Sequence, residues 1–219
     1  MSGYEQAGTV AVLGFDDGKA NAVGHSFIDA MNEGLDRAVQ DAQAVVLAGR
    51  EGLFSGGFDL KEIGKGPEAA GQLVGRGAQM LHRIFSHPQP VVVAATGHAI
   101  AAGAFICLAA DTRWAAEGDY KFGLNETAIG MSLPVFGIEL ANARLSRQHM
   151  TQAVTQATIY DAQDALDVGF VDAIKPADQL VDACIAEAAR LGEFDGTAYA
   201  ANKLAWRRPF IERIEASLG

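Results

Sequence analysis

The sequence predicts an α/β protein with parallel strand pairing and a helical C-terminal region. Three observations carry that prediction. Short Val- and Ala-rich runs alternate with stretches of helical periodicity over the first two thirds of the chain. Helical patterns dominate the last third. Apolar residues make up 49% of the 219 positions against 20% charged, enough to build a core and too apolar for a disordered chain.

The elements follow in order. Residues 9–15 read as a strand closed by the turn Asp16-Asp17-Gly18. Ser26 can cap a helix through Gln40, with Phe27, Met31, Leu35 and Val39 on one face. Residues 44–48 form a short buried strand, and 49–66 are glycine-rich and irregular. Pro67 suits the first turn of a second helix, which runs to about His87 before Pro88. Residues 91–95 are β-branched and read as a strand. Thr96-Gly97-His98 then breaks the run, and an Ala-rich helix covers 101–110. Strands follow at 112–116 and near 120–122. Helices are expected at 134–145, 147–156, 162–168, 176–191 and 197–217, with a last short strand at 171–174. The core is expected over 1–192, with 193–219 as a C-terminal helical segment.

Composition excludes several functions. The net charge is −10, and no Lys/Arg cluster offsets it, so nucleic acid and anionic membrane are disfavoured. Residues 91–110 carry no charge and match the length of a membrane span. The break at Thr96-Gly97-His98 turns that run into strand, turn and buried helix instead. Cys107 and Cys184 belong to no CxxC or metal-spaced pattern, which leaves no disulfide framework and no zinc site. Met1 to Gly8 lack a basic segment followed by an apolar one. The expected protein is soluble and cytoplasmic.

Three stretches can carry chemistry. Phe54-Ser55-Gly56-Gly57-Phe58-Asp59-Leu60-Lys61 holds a glycine pair that lets a ligand approach main-chain N–H groups. Thr96 to Phe105 joins a strand to a helix of small residues, whose first N–H groups suit a developing anion. Phe122-Gly123-Leu124-Asn125-Glu126-Thr127-Ala128-Ile129-Gly130 sets one carboxylate in an apolar segment, where shielding raises its proton affinity. Each has a plain alternative: a tight turn, close helix packing, a solvated glutamate. Together they suit formation of an enolate next to a carbonyl. His98 lies beside the second stretch and is read as structural. Asp111 is expected to bond backbone groups.

In order and spacing these stretches resemble the crotonase family, also called the enoyl-CoA hydratase/isomerase superfamily. The resemblance runs from Lys19-Ala20-Asn21-Ala22 to Asp164-Ala165-Leu166-Asp167-Val168-Gly169-Phe170-Val171. It implies a spiral of repeated ββα units. It implies an oxyanion hole made by the backbone N–H groups of Phe58 and Ala102, and an acyl pocket between the two loops and Glu126. Lys19, Ala20, Ala22, Asp59, Leu60 and Lys61 fall where the family holds coenzyme A, with Lys65 a further phosphate partner. No cofactor is implied beyond the coenzyme A of the acyl-CoA substrate. Hydratases of the family use two glutamates. The first position falls on Phe105 here and the second on Glu126, which leaves one base. Gly123 to Thr127 followed by Leu133-Pro134-Val135 looks like the Δ3,Δ2-enoyl-CoA isomerase branch. The alternatives are hydration, thioester hydrolysis, or acyl-CoA binding without turnover. The resemblance also implies a homo-oligomer, a trimer or dimer of trimers. Family members are commonly longer at the C-terminus. Trp206, Phe210 and Ile214, at i, i+4 and i+8, can cover an apolar surface or pack into the core.

Overall fold

A computed structural model describes residues 3–218. Ten strands form two sheets. The larger joins β1 (Gly3–Ala7), β2 (Val10–Gly14), β3 (Ala44–Ala48), β5 (Val91–Ala95), β7 (Thr112–Ala116) and β10 (Ala173–Lys175), in that order. β1 is antiparallel to β2, and the other pairs are parallel. The smaller joins β4 (Gly52–Ser55), β6 (Gly97–Ile100), β8 (Phe122–Gly123) and β9 (Ile159–Tyr160). From β3 to β8, successive strands go alternately to the two sheets. Helices close the turns of this spiral: α1 (His25–Asp41), the short α2 (Leu60–Ile63), α3 (Pro67–Phe85) and α4 (Ala102–Ala109). The repeated ββα architecture expected from the sequence is the one observed.

Both faces of the larger sheet are covered, which explains its unbroken apolar strands. Val45, Leu47, Val91 and Val93 face the main core with Phe27, Met31 and Leu35 of α1. Val46, Val92 and Ala94 face the other way, against Leu180, Cys184 and Ala188 of the helix Leu180–Gly192. That helix is the seventh; α5 (Val135–Arg144) and α6 (Ala162–Val168) precede it, and α8 (Gly196–Leu218) follows. α8 lies across α5 and α3.

Several expectations are corrected. Val39 is 50% exposed, and Ala38 takes its place in the core. At about 100° per residue, a strict four-residue spacing drifts off the buried face by its fourth member. The helix expected at 147–156 is a 3₁₀ turn, Arg147–His149, followed by a π-type turn, Thr151–Thr155. The break expected at 96–98 is instead where β6 begins. Gly97 packs so tightly against the backbone of Gly52 that any Cβ there would collide with it. β1 was not expected, because a polar, largely exposed edge strand carries no alternation to read. Ile214 is fully buried and Phe210 packs against the core, but Trp206 points outward at 68% exposure. Among the described residues no helix is long and apolar enough to cross a membrane.

Candidate active site

The first two glycine-rich stretches meet with the segment around Asn21. Gly56 N–H donates to Ala20 O at 2.9 Å, and Val23 N–H to Gly57 O at 2.8 Å. Asp59 N–H donates to Val23 O at 3.2 Å. Gly57 and Asp59 thus flank a parallel bridge between Val23 and Phe58. In such a bridge the middle residue's own N–H points to the far side. Phe58 N–H has no backbone acceptor among the described residues. Gly57, at φ +106°, lets the chain turn there, and a Cβ on it would stand 3.0 Å from Ala101 Cβ and 3.6 Å from Ala102 N. The Phe58 and Ala102 loops therefore touch.

Ala102 is the first residue of α4, so its N–H has no partner within the helix. Ala101 before it holds φ +51° and ψ −118°, a conformation that strains any residue with a side chain. Asn21, which is not among the expected site residues, ties the first stretch to its neighbouring turn. It is 1% exposed, at φ +47°, and its Nδ2 donates to Phe15 O, Leu53 O and Phe54 O at 3.1, 3.3 and 3.1 Å. Ser55 Oγ donates to Asn21 O at 2.8 Å. The signal available was a buried amide in a turn that tolerates left-handed backbone.

The third stretch is tied to the second by its backbone. β6 pairs with β8 through Ala99–Phe122 and Ile100–Gly123, and Ala101 N–H donates to Gly123 O at 2.9 Å. Three residues on, Glu126 starts the 3₁₀ turn Thr127–Ile129, and its carbonyl accepts from Met131 N–H at 2.9 Å. Its side chain is 6% exposed, and Oε2 has no hydrogen-bond partner. Burial raises the carboxyl above its ordinary 4.5, partly offset by its own backbone N–H. A buried, unpartnered carboxylate oxygen costs stability, which suits a proton acceptor better than a structural role.

The remaining expected residues divide. Asp59 caps α2 by accepting from Lys61 N–H at 2.9 Å. Lys19, Ala20, Leu60 and Lys61 are exposed beside the junction and Ala22 is half-buried. Lys65 pairs with Glu62 at 2.5 Å. Phe105 is 1% exposed. Glu139, the other buried carboxylate nearby, is ion-paired with Arg213 of α8 at 2.7 Å. His98 Nδ1 accepts from Lys121 N–H at 3.0 Å and its ring meets Tyr120 edge-on, a structural role as expected. Asp111 accepts from Val91 N–H, as expected, and also pairs with Lys203 and Arg207. The described clefts of 230–490 Å³ are lined by residues other than Phe58, Ala102 and Glu126.

A fold that brings two glycine-rich loops into contact and shields one carboxylate invites comparison with known proteins. The sequence profile described as enoyl-CoA hydratase/isomerase matches residues 5–217. The chain belongs to this family. It is 35% identical over 188 residues to a probable enoyl-CoA hydratase of Mycobacterium avium, covering 80% of this chain and 70% of that one. A crystal structure of an enoyl-CoA hydratase/isomerase family protein from Pseudomonas syringae superposes with a TM-score of 0.95. That match has 38% identity and covers 98% of this chain and 94% of that one. A Mycobacterium tuberculosis structure described as an enoyl-CoA isomerase gives 0.94 at 36% identity, covering 99% and 95%. Family members that resemble this chain thus carry both reaction names.

Proposed function

We propose that the protein is a Δ3,Δ2-enoyl-CoA isomerase that works with one base. The carrying observation is a contrast between two positions. Glu126 is a buried carboxylate with a free oxygen, while the place the family resemblance gives to a hydratase's other glutamate holds the core phenyl ring of Phe105. A phenyl ring cannot bind, orient or deprotonate water. In this reading the thioester oxygen lies between the N–H groups of Phe58 and Ala102. Glu126 takes a proton from C2 of a 3-enoyl-CoA. The electron pair passes onto the thioester oxygen as an enolate, held by the two N–H groups. The protonated Glu126 then delivers the proton to C4, and the double bond ends between C2 and C3. Nothing is gained or lost overall. The raised proton affinity of Glu126 suits both halves of this shuttle.

The same reading takes the Lys19–Ala22 and Asp59–Lys61 segments as the coenzyme A contact, with no further cofactor. It takes the protein as a cytoplasmic homo-oligomer, a trimer or a dimer of trimers, on the family resemblance alone. The hydratase name of the M. avium relative supports the competing reading, in which water adds to a 2-enoyl-CoA. One assay separates them. Purified protein is given a 3-enoyl-CoA, and the conjugated 2-enoyl thioester and any 3-hydroxyacyl product are followed. Conjugation without hydration, abolished in Glu126→Gln, is the expected result. Hydration of a 2-enoyl-CoA at a comparable rate would overturn the proposal.

A further inference from the structure

The helix that begins at Ala102 is gripped at its far end by the terminal helix. α4 has eight residues, a rod of about 12 Å. Its first three residues, Ala102, Gly103 and Ala104, are small, with Gly103 pressed against Ser55 O, and Phe105 is the first to reach across to α5. Its C-terminal carbonyls are bound by two guanidinium groups. Arg144 of α5 donates to Leu108 O at 3.2 Å and to Ala110 O. Arg207 of α8 donates to Ala109 O at 3.4 Å and Ala110 O at 3.3 Å. Arg207 also donates to Phe85 O at 2.5 Å, lies over the Phe85 ring at 4.4 Å and pairs with Asp111 at 2.7 Å. It is 3% exposed. Lys203, one turn earlier on α8, bonds Asp111, His87 O and Gln89 O, but no carbonyl of α4.

We propose that Arg207 is a positioning residue for the oxyanion hole. By fixing the C-terminal carbonyls of α4 it sets the direction of the Ala102 N–H at the other end. This rests on the reading of Ala102 as an oxyanion donor. The rod is rigid along its axis, so a tilt at Ala110 becomes a displacement at Ala102. Hydrogen bonds weaken steeply with angle. Buried cations at the C-terminal end also favour the helix dipole whose positive end meets the developing oxyanion, and burial protects that interaction from salt. The terminal helix thereby acts on the reaction without touching substrate.

The test uses a chromophoric cinnamoyl-CoA thioester, whose absorbance moves to longer wavelength when an oxyanion hole polarises its carbonyl. The wild-type protein is expected to give that shift. Arg207→Met is expected to lose most of it and to lower kcat for a 3-enoyl-CoA by about tenfold, with little change in KM. Arg207→Lys, which keeps the charge but not the fork, is expected to recover part of both, and carries the comparison if the methionine variant does not fold. Lys203→Met is expected to lower stability and leave the shift in place. A folded Arg207 variant with the full wild-type shift and kcat would overturn the proposal while leaving the oxyanion hole standing. Absence of any shift in wild-type protein that binds the thioester would overturn the oxyanion hole itself, and this proposal with it.

Discussion

The phenyl ring of Phe105 meets that of Phe136 edge-on, with centroids 5.5 Å apart and planes at 76°. The contact leaves no room beside it, since a Cβ on Gly137 would lie 2.7 Å from Phe105 Cζ. Phe105 therefore joins α4 to α5, and in the proposed reading its ring fills the place where a second carboxylate would act. Phe105→Ala is expected to cost about 3–5 kcal/mol, the range for emptying a packed aromatic site. Phe105→Glu would bury a carboxylate against Phe136 with no cation assigned to it. It is expected to lower the melting temperature without creating measurable hydration of a 2-enoyl-CoA. Denaturant titration and product analysis check the two halves.

Glu126 should impose a rising acid limb on activity. The base must be ionised, and burial raises its proton affinity above the ordinary carboxyl. kcat/KM is expected to fall as pH drops, with an apparent pKa above 4.5, and that limb should vanish in Glu126→Gln together with a loss on the order of 10²–10⁴-fold. Stability should move the other way. A carboxyl raised on folding stabilises only while it is protonated, and that contribution is lost as pH rises through its unfolded value towards its folded one. At neutral pH the ionised form is a burden on the fold. Glu126→Gln is therefore expected to melt no lower than wild type at pH 7.5.

What could be read from the sequence was the part that repeats a local rule. Alternating apolar runs and helical stretches pointed to the α/β class with parallel pairing, and the family resemblance pointed to the ββα spiral. The contacts between distant segments stayed hidden. Asn21 spends its amide on carbonyls of residues 32 and 33 positions later, and Arg207 reaches back 96 positions to Asp111. Neither shows in a window of a few residues. Strand β6 was missed for another reason, because Gly97 is demanded by backbone contact with Gly52 and reads locally as a break. The spacing of Trp206, Phe210 and Ile214 left surface cover and core packing both open, while the buried stripe of α8 runs through Lys203, Arg207 and Ile214. Two charged residues on that stripe cannot be assigned to a core until Asp111 is known to face them.

His87 gives the fold an acid weakness. It is 2% exposed, and burial, aided by the charge of Lys203, lowers its pKa from 6.5 to about 4. The unfolded chain takes up this proton as pH falls through 6.5, while the folded chain resists until about 4. Stability is therefore complete above 6.5 and falls between 6.5 and 4, by about 3 kcal/mol for this group. His87→Asn, which keeps an acceptor for Gln89 N–H and cannot titrate, is expected to flatten that decline. Urea unfolding from pH 4.5 to 8 measures it. Equal slopes in the two proteins would show that His87 takes up its proton over the same pH range folded and unfolded.

Ala101 carries strain at the turn into α4. With φ +51° and ψ −118°, its Cβ sits in a region that glycine occupies freely. The family resemblance allows glycine there. Ala101→Gly should relieve that strain, less the entropy glycine loses on folding, for a net gain of about 1 kcal/mol. Gly57→Ala should do the reverse, since its backbone holds φ +106° and its new Cβ would press on Ala101. Unfolding midpoints of both variants should move in opposite directions.

Asn21 is where the fold and the site depend on one side chain. Its amide meets carbonyls from two segments, and its Oδ1 accepts from Asp17 N–H at 3.0 Å. Two neighbours, Ala20 and Val23, then bond directly to Gly56 and Gly57 beside the Phe58 N–H. Asn21→Leu fills a similar volume but leaves buried carbonyls unpaired and a β-carbon-bearing apolar residue at φ +47°. Each unpaired group costs about 1–3 kcal/mol, so a loss of about 3 kcal/mol or more is expected. Asn21→Gly removes the strain but also the bonds, and should fall between the two. Because the same side chain orders the first loop, kcat should drop in the glycine variant even at temperatures where it remains folded. A glycine variant with wild-type kcat would mean that the loop keeps its shape through Val23 and Gly56 alone.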